Sequence, residues 1–154
     1  MYNLQKDMLD AFKSTSDTLR FLLNGVTQEQ AEAATGGDEN WSVTEVMCHL
    51  RDAEERALER LRAMRDEDNP FLAAYDQEAW AKERNYAGQD LHWALATFVR
   101  LREEHISDLS ALTPEEWERP GRHEEQGDIT IFAHTLHMVA HDAQHAAQLA
   151  RQLA

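Results

Sequence analysis

Apolar residues return every three or four positions through four long stretches of this chain, and no stretch alternates convincingly as a half-buried strand does. Stripes of that period are buried only by packing helix on helix, so the pattern restricts the chain to helical architectures. The first stretch, about residues 3 to 24, carries Leu4, Met8, Phe12, Leu19, Leu22 and Leu23. The second opens on a Ser-x-x-Glu capping box at Ser42 and Glu45, with Trp41 and Val46 at the staple positions. Its stripe runs through Val43, Val46, Leu50, Ala53, Ala57, Leu61 and Met64 and stops before Asn69-Pro70. A third helix is predicted from about Asp90 to Leu109, and a fourth from a cap near Asp128 to the end of the chain.

Four long helices predict an all-α fold, a four-helix bundle with a long crossover between helices 2 and 3. The 154 residues are read as one domain, 1–154, large enough to fold without disulfides or a structural metal. The crossover, residues 66–90, exceeds an ordinary bundle turn and holds a short helix between Tyr75 and Tyr86. It reads equally as a lid or pocket wall and as a simple span. A weak repeat offset by 86 residues aligns Leu9 with Leu95, Phe12 with Phe98, Thr27-x-x-Gln30 with Thr113-x-x-Glu116, and Val43-Thr44 with Ile129-Thr130. By that offset Leu136, Val139, Ala143, Ala147 and Ala150 form one packed face of helix four, opposite Ile131, Met138 and Leu149, so the helix is expected to be buried on both sides.

Charge and cysteine usage exclude several functions. A formal net charge of -14 and the lack of a dense basic run disfavour nucleic acid as a partner. A single cysteine, Cys48, allows no internal disulfide, and no apolar run reaches the ~18 residues that cross a bilayer. The start lacks the apolar core of a signal peptide, so no membrane association and a cytoplasmic location are expected.

The chemistry concentrates near the C-terminus, where His134, His137, His141 and His145 fall within twelve residues of one helix. Positions 134, 141 and 145 point the same way and 137 lies close by. Imidazole is the commonest protein metal ligand, and His-x-x-x-His puts two rings on neighbouring turns within reach of one divalent ion. A third ligand must then come from another helix, and His49, on the flank of the helix-two stripe, is the best placed. His92, His105 and His123 read as surface residues, and Cys48 as a small buried hydrophobe with no catalytic role. The competing reading is that these histidines pack in the core without any ion. Two other metal chemistries lack their residues: no His-Glu-x-x-His is present, Asp142 following His141 instead, and no histidine has a glutamate three residues before it as a di-iron bundle needs.

The block from Trp41-Ser-Val-Thr-Glu-Val-Met-Cys to His49-Leu, the Leu-Thr-Pro-Glu-Glu turn at 112 to 116, and His141-Asp-Ala-Gln-His145 on a terminal helix together resemble the DinB-like superfamily of bacterial four-helix bundles. The resemblance covers nearly the whole chain. It implies a divalent metal ion, nickel or zinc, held by His49, His141 and His145. It also implies, by analogy with members of known activity, a thiol S-transferase in which a low-molecular-weight thiol is activated toward an electrophile, so that a small-molecule thiol or electrophile is the expected partner. His134 and His137 fall outside that triad and are expected to line the pocket or the core, while Asp142 is expected to orient a neighbouring group. The alternative is a non-catalytic metal- or ligand-binding stress-response module. The alanine-rich helix four suits close packing within the bundle or across a two-fold interface, and a homodimer is expected.

Overall fold

The computed structural model describes all residues, 1–154. Four helices form the bundle: α1 (Leu4–Leu23), α3 (Val43–Asp66), α5 (Leu91–Ser110) and α6 (Ile131–Leu153). Two short helices, α2 (Gln28–Ala33) and α4 (Gln77–Glu83), lie in the connections. Five short strands also occur there: β1 (Thr35–Gly36), β2 (Trp41–Ser42), β3 (Phe71–Leu72), β4 (Pro120–His123) and β5 (Gly127–Thr130). None of the helices is long and apolar enough to cross a membrane.

Around the bundle the order is α1, α5, α3, α6, so each helix touches two others and α1 stands diagonally across from α3. The connections of about twenty residues, 24–42 and 111–130, therefore cross the diagonals, whereas the long segment 67–90 joins neighbours. Its extra length is not needed for span. It instead lays β3 parallel to β4 and α4 over α3, building a wall beside the bundle.

Each half of the chain repeats one plan: long helix, short capped turn, antiparallel hairpin, then a second long helix capped by the last hairpin residue. Thr27 caps α2 with a full capping box, and Ser42 and Glu45 form another at α3, their two reciprocal bonds both 3.1 Å. Helix α6 starts at Ile131 rather than near Asp128, because residues 127–130 pair with 120–123 as a strand; its cap is Thr130, which accepts from the Ala133 amide at 3.1 Å. Sequence periodicity missed these strands because they are too short to alternate visibly.

The offset between α3 and α6 is 88 residues, Val43 against Ile131, not 86. Two residues turn a helix by about 200°, which moves the matched stripe to the opposite side. The face expected to pack, with Leu136, Ala143, Ala147 and Ala150, is consequently exposed, and Leu136 keeps 51% of its surface. The buried face is Ile131, His134, Thr135, Met138, Asp142, Ala146 and Leu149, so α6 is buried on one side only.

The core is divided. One apolar cluster gathers Leu19, Leu23, Val46, Met47, Leu50, Phe98 and Leu149; the other gathers Phe12, Leu58, Leu61, Met64, Leu109, Trp117 and Ile131. Between them lies a charged layer centred on Arg102, which is 1% exposed. Its Nη2 donates to Glu54 Oε2 at 2.7 Å and to Asp142 Oδ2 at 2.8 Å, and its Nη1 donates to the Phe12 carbonyl at 3.0 Å. Thr15 donates to the same Asp142 oxygen at 2.8 Å, and His105 Nδ1 donates to Glu54 Oε1 at 2.7 Å. All four bundle helices meet in this one network. Burial works to raise the Glu54 carboxyl, but Arg102 and His105 outweigh it and hold it below the usual carboxylate range.

Candidate metal centre

His49, on the α3 turn facing α6, is 1% exposed, and His141 and His145 are half-buried on α6. One ligating atom from each of the three lies within 4.8 Å of the others, and His49 Nε2 stands 3.0 Å from His141 Nε2. Tetrahedral imidazole–zinc bonds of about 2.0–2.1 Å place neighbouring donors about 3.3–3.4 Å apart, so this pair is close to the edge of a coordination polyhedron. A single N–H···N bond would account for those two rings, but not for the third.

The third ring is oriented by a chain of amides. Gln152 Nε2 donates to the carbonyls of Ala34 and Trp41 at 3.0 and 3.2 Å, so its Oε1 accepts from Gln148 Nε2 at 2.8 Å. Gln148 Oε1 then accepts from His145 Nδ1 at 2.9 Å. The proton of His145 is thereby fixed on Nδ1, which leaves Nε2 as a lone pair. His49 and His141 lack such outer partners, and their Nδ1 atoms are buried without any. Packing holds these two rings instead: Trp41 lies 5.4 Å from the His49 ring, and the three imidazoles contact one another edge-on at centroid distances of 4.6 to 5.1 Å. Burial, with the His145 charge second, pushes the His49 pKa down to about 3; burial, with His145 and His49, pushes His141 down to about 2. Both rings stay neutral at pH 7 with lone pairs available. The donor set therefore fits one divalent ion.

A cleft of about 780 Å³ opens beside His49 and His141. Its walls are residues 74–78 of the long connection, residues 123–126 of the β4–β5 hairpin, and His134 and His137 of α6. His134 is 5% exposed with an unpartnered Nε2, and His137 is exposed with Nε2 3.5 Å from Gln126 Nε2, so both line the cleft outside the triad. Asp142 does not line it: its carboxylate turns away into the bundle centre, to Arg102 and Thr15. Cys48 is buried and burial pushes its thiol up to about 11, which removes it as a nucleophile.

Two histidines read as surface residues are buried. His105 occupies a stripe position on α5 and its partner Glu54 comes from another helix, which sequence spacing cannot show. His123 belongs to β4, whose alternate residues face inward, and the segment had no strand signal. His92 is exposed as expected, with a ring nitrogen 2.8 Å from the Val26 carbonyl.

The sequence profile of the DinB superfamily matches residues 11–149. The chain belongs to the DinB superfamily. A protein of Oceanobacillus iheyensis named "Putative metal-dependent hydrolase OB0782" is 30% identical over 138 residues, covering 86% of this chain and 78% of its own. Another DinB relative, "Putative metal-dependent hydrolase GK0616" of Geobacillus kaustophilus, is 25% identical over 148 residues, covering 94% and 82%. The solved structure of YfiT from Bacillus subtilis, described as "a probable metal-dependent hydrolase with an unusual four-helix bundle topology", superposes with a TM-score of 0.88 at 21% identity, over 96% of this chain and 85% of that one. The diagonal placement of α1 and α3 in this DinB bundle is thus shared at the level of fold.

Acid sensitivity follows from the buried rings. In the unfolded chain His49, His134 and His141 bind protons with a pKa of about 6.5, and burial lowers all three in the fold, His134 to about 3. As pH falls below 6.5 the unfolded state takes up protons that the folded state refuses, so stability present above 6.5 is lost progressively toward the folded values. The slope approaches about 1.4 kcal/mol per pH unit for each fully buried group, and less for the half-buried His141. Urea midpoints of metal-free protein should fall between pH 6.5 and 5, and His134→Gln should fall less steeply; equal slopes for the two proteins would contradict the assignment.

Proposed function

We propose that the protein is a metal-dependent enzyme in which His49, His141 and His145 hold one nickel or zinc ion at the inner end of the cleft, and that it activates a low-molecular-weight thiol toward an electrophile. The observation that carries the reading is that two rings of the three-imidazole cluster, His49 and His141, line a cleft of about 780 Å³, which is room for a whole small molecule rather than one water. A divalent ion held by three neutral imidazoles keeps its charge and lowers the pKa of a thiol or water that reaches it.

The chain's own contribution is binding and orientation. Buried His49 and half-buried His141 present unprotonated nitrogens, Gln148 fixes the third, and Trp41 and the helix cores hold the rings in place. The two buried carboxylates nearest the triad are already engaged, Asp142 with Arg102 and Asp52 with Arg51, Arg84 and Tyr86, so neither is free to act as a base. A nucleophile acidified by the ion itself suits such a site better than one that needs a protein base. Hydrolysis by activated water is the second reading, favoured by the names of the DinB relatives. A binding module without turnover, working as a homodimer in the cytoplasm, is the third.

Nickel- or zinc-loaded protein incubated with 1-chloro-2,4-dinitrobenzene and cysteine or glutathione, and separately with p-nitrophenyl acetate without thiol, separates them. The proposal expects thioether formation that needs thiol and metal and disappears in His141→Ala. Thiol-independent p-nitrophenolate release would favour the hydrolase, and metal occupancy without either reaction would overturn the enzymatic reading.

A further inference from the structure

Arg60 lies in the same cleft and no carboxylate lies within ion-pair distance of it, in a chain where acidic residues number 29 against 15 basic. It is the only arginine or lysine lining the cleft. One Nη2 hydrogen bond to the Ala73 carbonyl holds the guanidinium in place, and its other N–H groups meet no protein acceptor. Its position relative to the triad is set by α3. From His49 to Arg60 is eleven residues, within about 20° of three full turns, so both project from one face roughly 16 Å apart along the axis.

His123, 8% exposed, faces the same region from β4. Its Nδ1 accepts from the amides of Glu125 and Gln126 at 3.1 and 3.2 Å, which puts its proton on Nε2. No protein acceptor meets that Nε2–H, and His123 is one of the residues lining the cleft. Four acidic residues also rim the cleft, but two are turned onto backbone amides: Asp76 accepts from Glu78 and Ala79, and Glu124 from Ala74 at 2.8 Å. Glu78 and Glu125 are exposed on the rim.

We propose that Arg60 and His123 form an oxyanion-binding subsite at the far end of the cleft, so that the molecule bound there carries a carboxylate or phosphate group. A guanidinium with free N–H groups and a fixed imidazole N–H are donors without acceptors, and a bound oxyanion supplies both. As a statement about the substrate this rests on the cleft being the reactive site proposed above: the substrate then has its reacting atom at the triad and its anionic group on the order of 10 Å away, once both side chains are allowed for.

The test is NMR titration of the full-length protein, zinc-loaded and chelator-treated, with succinate, inorganic phosphate and neutral succinamide. The subsite predicts saturable shifts of the Arg60 Nε–H and His123 ring signals with succinate or phosphate, in both metal states, and none with succinamide. Tighter succinate binding assigns a carboxylate to the ligand, and tighter phosphate binding assigns a phosphoryl group. Arg60→Gln should weaken the anion roughly tenfold or more, the scale of one charge-assisted hydrogen bond, while Arg60→Lys, which keeps the charge, recovers part of it. Failure of either anion to saturate, affinity unchanged in Arg60→Gln, or shifts confined to the triad of the zinc-loaded protein would each overturn the subsite. Anion shifts in a protein that takes up no zinc would instead leave the subsite standing and sink the metal reading.

Discussion

Arg102→Leu should destabilise the fold by about 3–5 kcal/mol, a large fraction of the roughly 5–15 kcal/mol that holds a typical domain together. The cost arises from what remains rather than from what is removed. Glu54 and Asp142 are 0% and 1% exposed, and Arg102 is the cation that both face. Without it two carboxylates share a dry layer between the two apolar clusters, and the Phe12 carbonyl loses one of its donors as well. The guanidinium also lies 3.6 Å over the Phe12 ring, a contact that leucine replaces only in part. Combining Arg102→Leu with Glu54→Gln and Asp142→Asn removes the stranded charges and should recover a good part of the loss. Urea unfolding at pH 7 reads both effects. A loss for the single variant below about 1 kcal/mol would mean that water enters the layer and that the network does not clamp the helices.

That network was written in the sequence but not read from it. Glu54 stands between Leu50 and Ala57 on the stripe of α3, Asp142 between Met138 and Ala146 on α6, and Arg102 between Phe98 and Leu109 on α5. A charge of complementary sign interrupting three apolar stripes is a signal of a buried cluster, yet periodicity scores such positions as imperfections. The four bundle helices and their caps were legible because each announces itself locally, through a stripe and a capping residue. The strands were not, since two to four residues are too few to alternate visibly, and β3 takes its order from a partner far along the chain, β4. Thr113 to the α6 cap Thr130 is two residues longer than Thr27 to the α3 cap Ser42, and that difference rotates the expected face of α6.

The triad was legible in kind: the i, i+4 pair on α6 follows from helical geometry, and His49 was chosen for its flank position on α3. What supports it lay beyond reach. The Gln152–Gln148–His145 chain reaches back to carbonyls more than a hundred residues earlier, and Arg60 becomes interesting only when the folded cleft shows that no carboxylate meets it.

His141→Ala should abolish high-affinity metal binding while leaving the bundle folded. The ring is half-buried and outside the Arg102 network, so its removal costs little packing, but it takes away one of three donors and the nitrogen 3.0 Å from His49 Nε2. Two remaining imidazoles hold a divalent ion far less firmly than three. Binding to the native state also stabilises it: nickel or zinc at a thousand times its dissociation constant adds about 4 kcal/mol, so the metal-dependent rise in melting temperature should vanish with the variant.

The deciding measurement is the metal content of untagged protein, native and His141→Ala, after incubation with nickel or zinc and removal of the excess. About one ion per chain in the native protein and essentially none in the variant is the result the three-histidine centre predicts. Equal metal content in the two proteins, or none in either, would contradict it and leave the imidazole cluster as packing between α3 and α6.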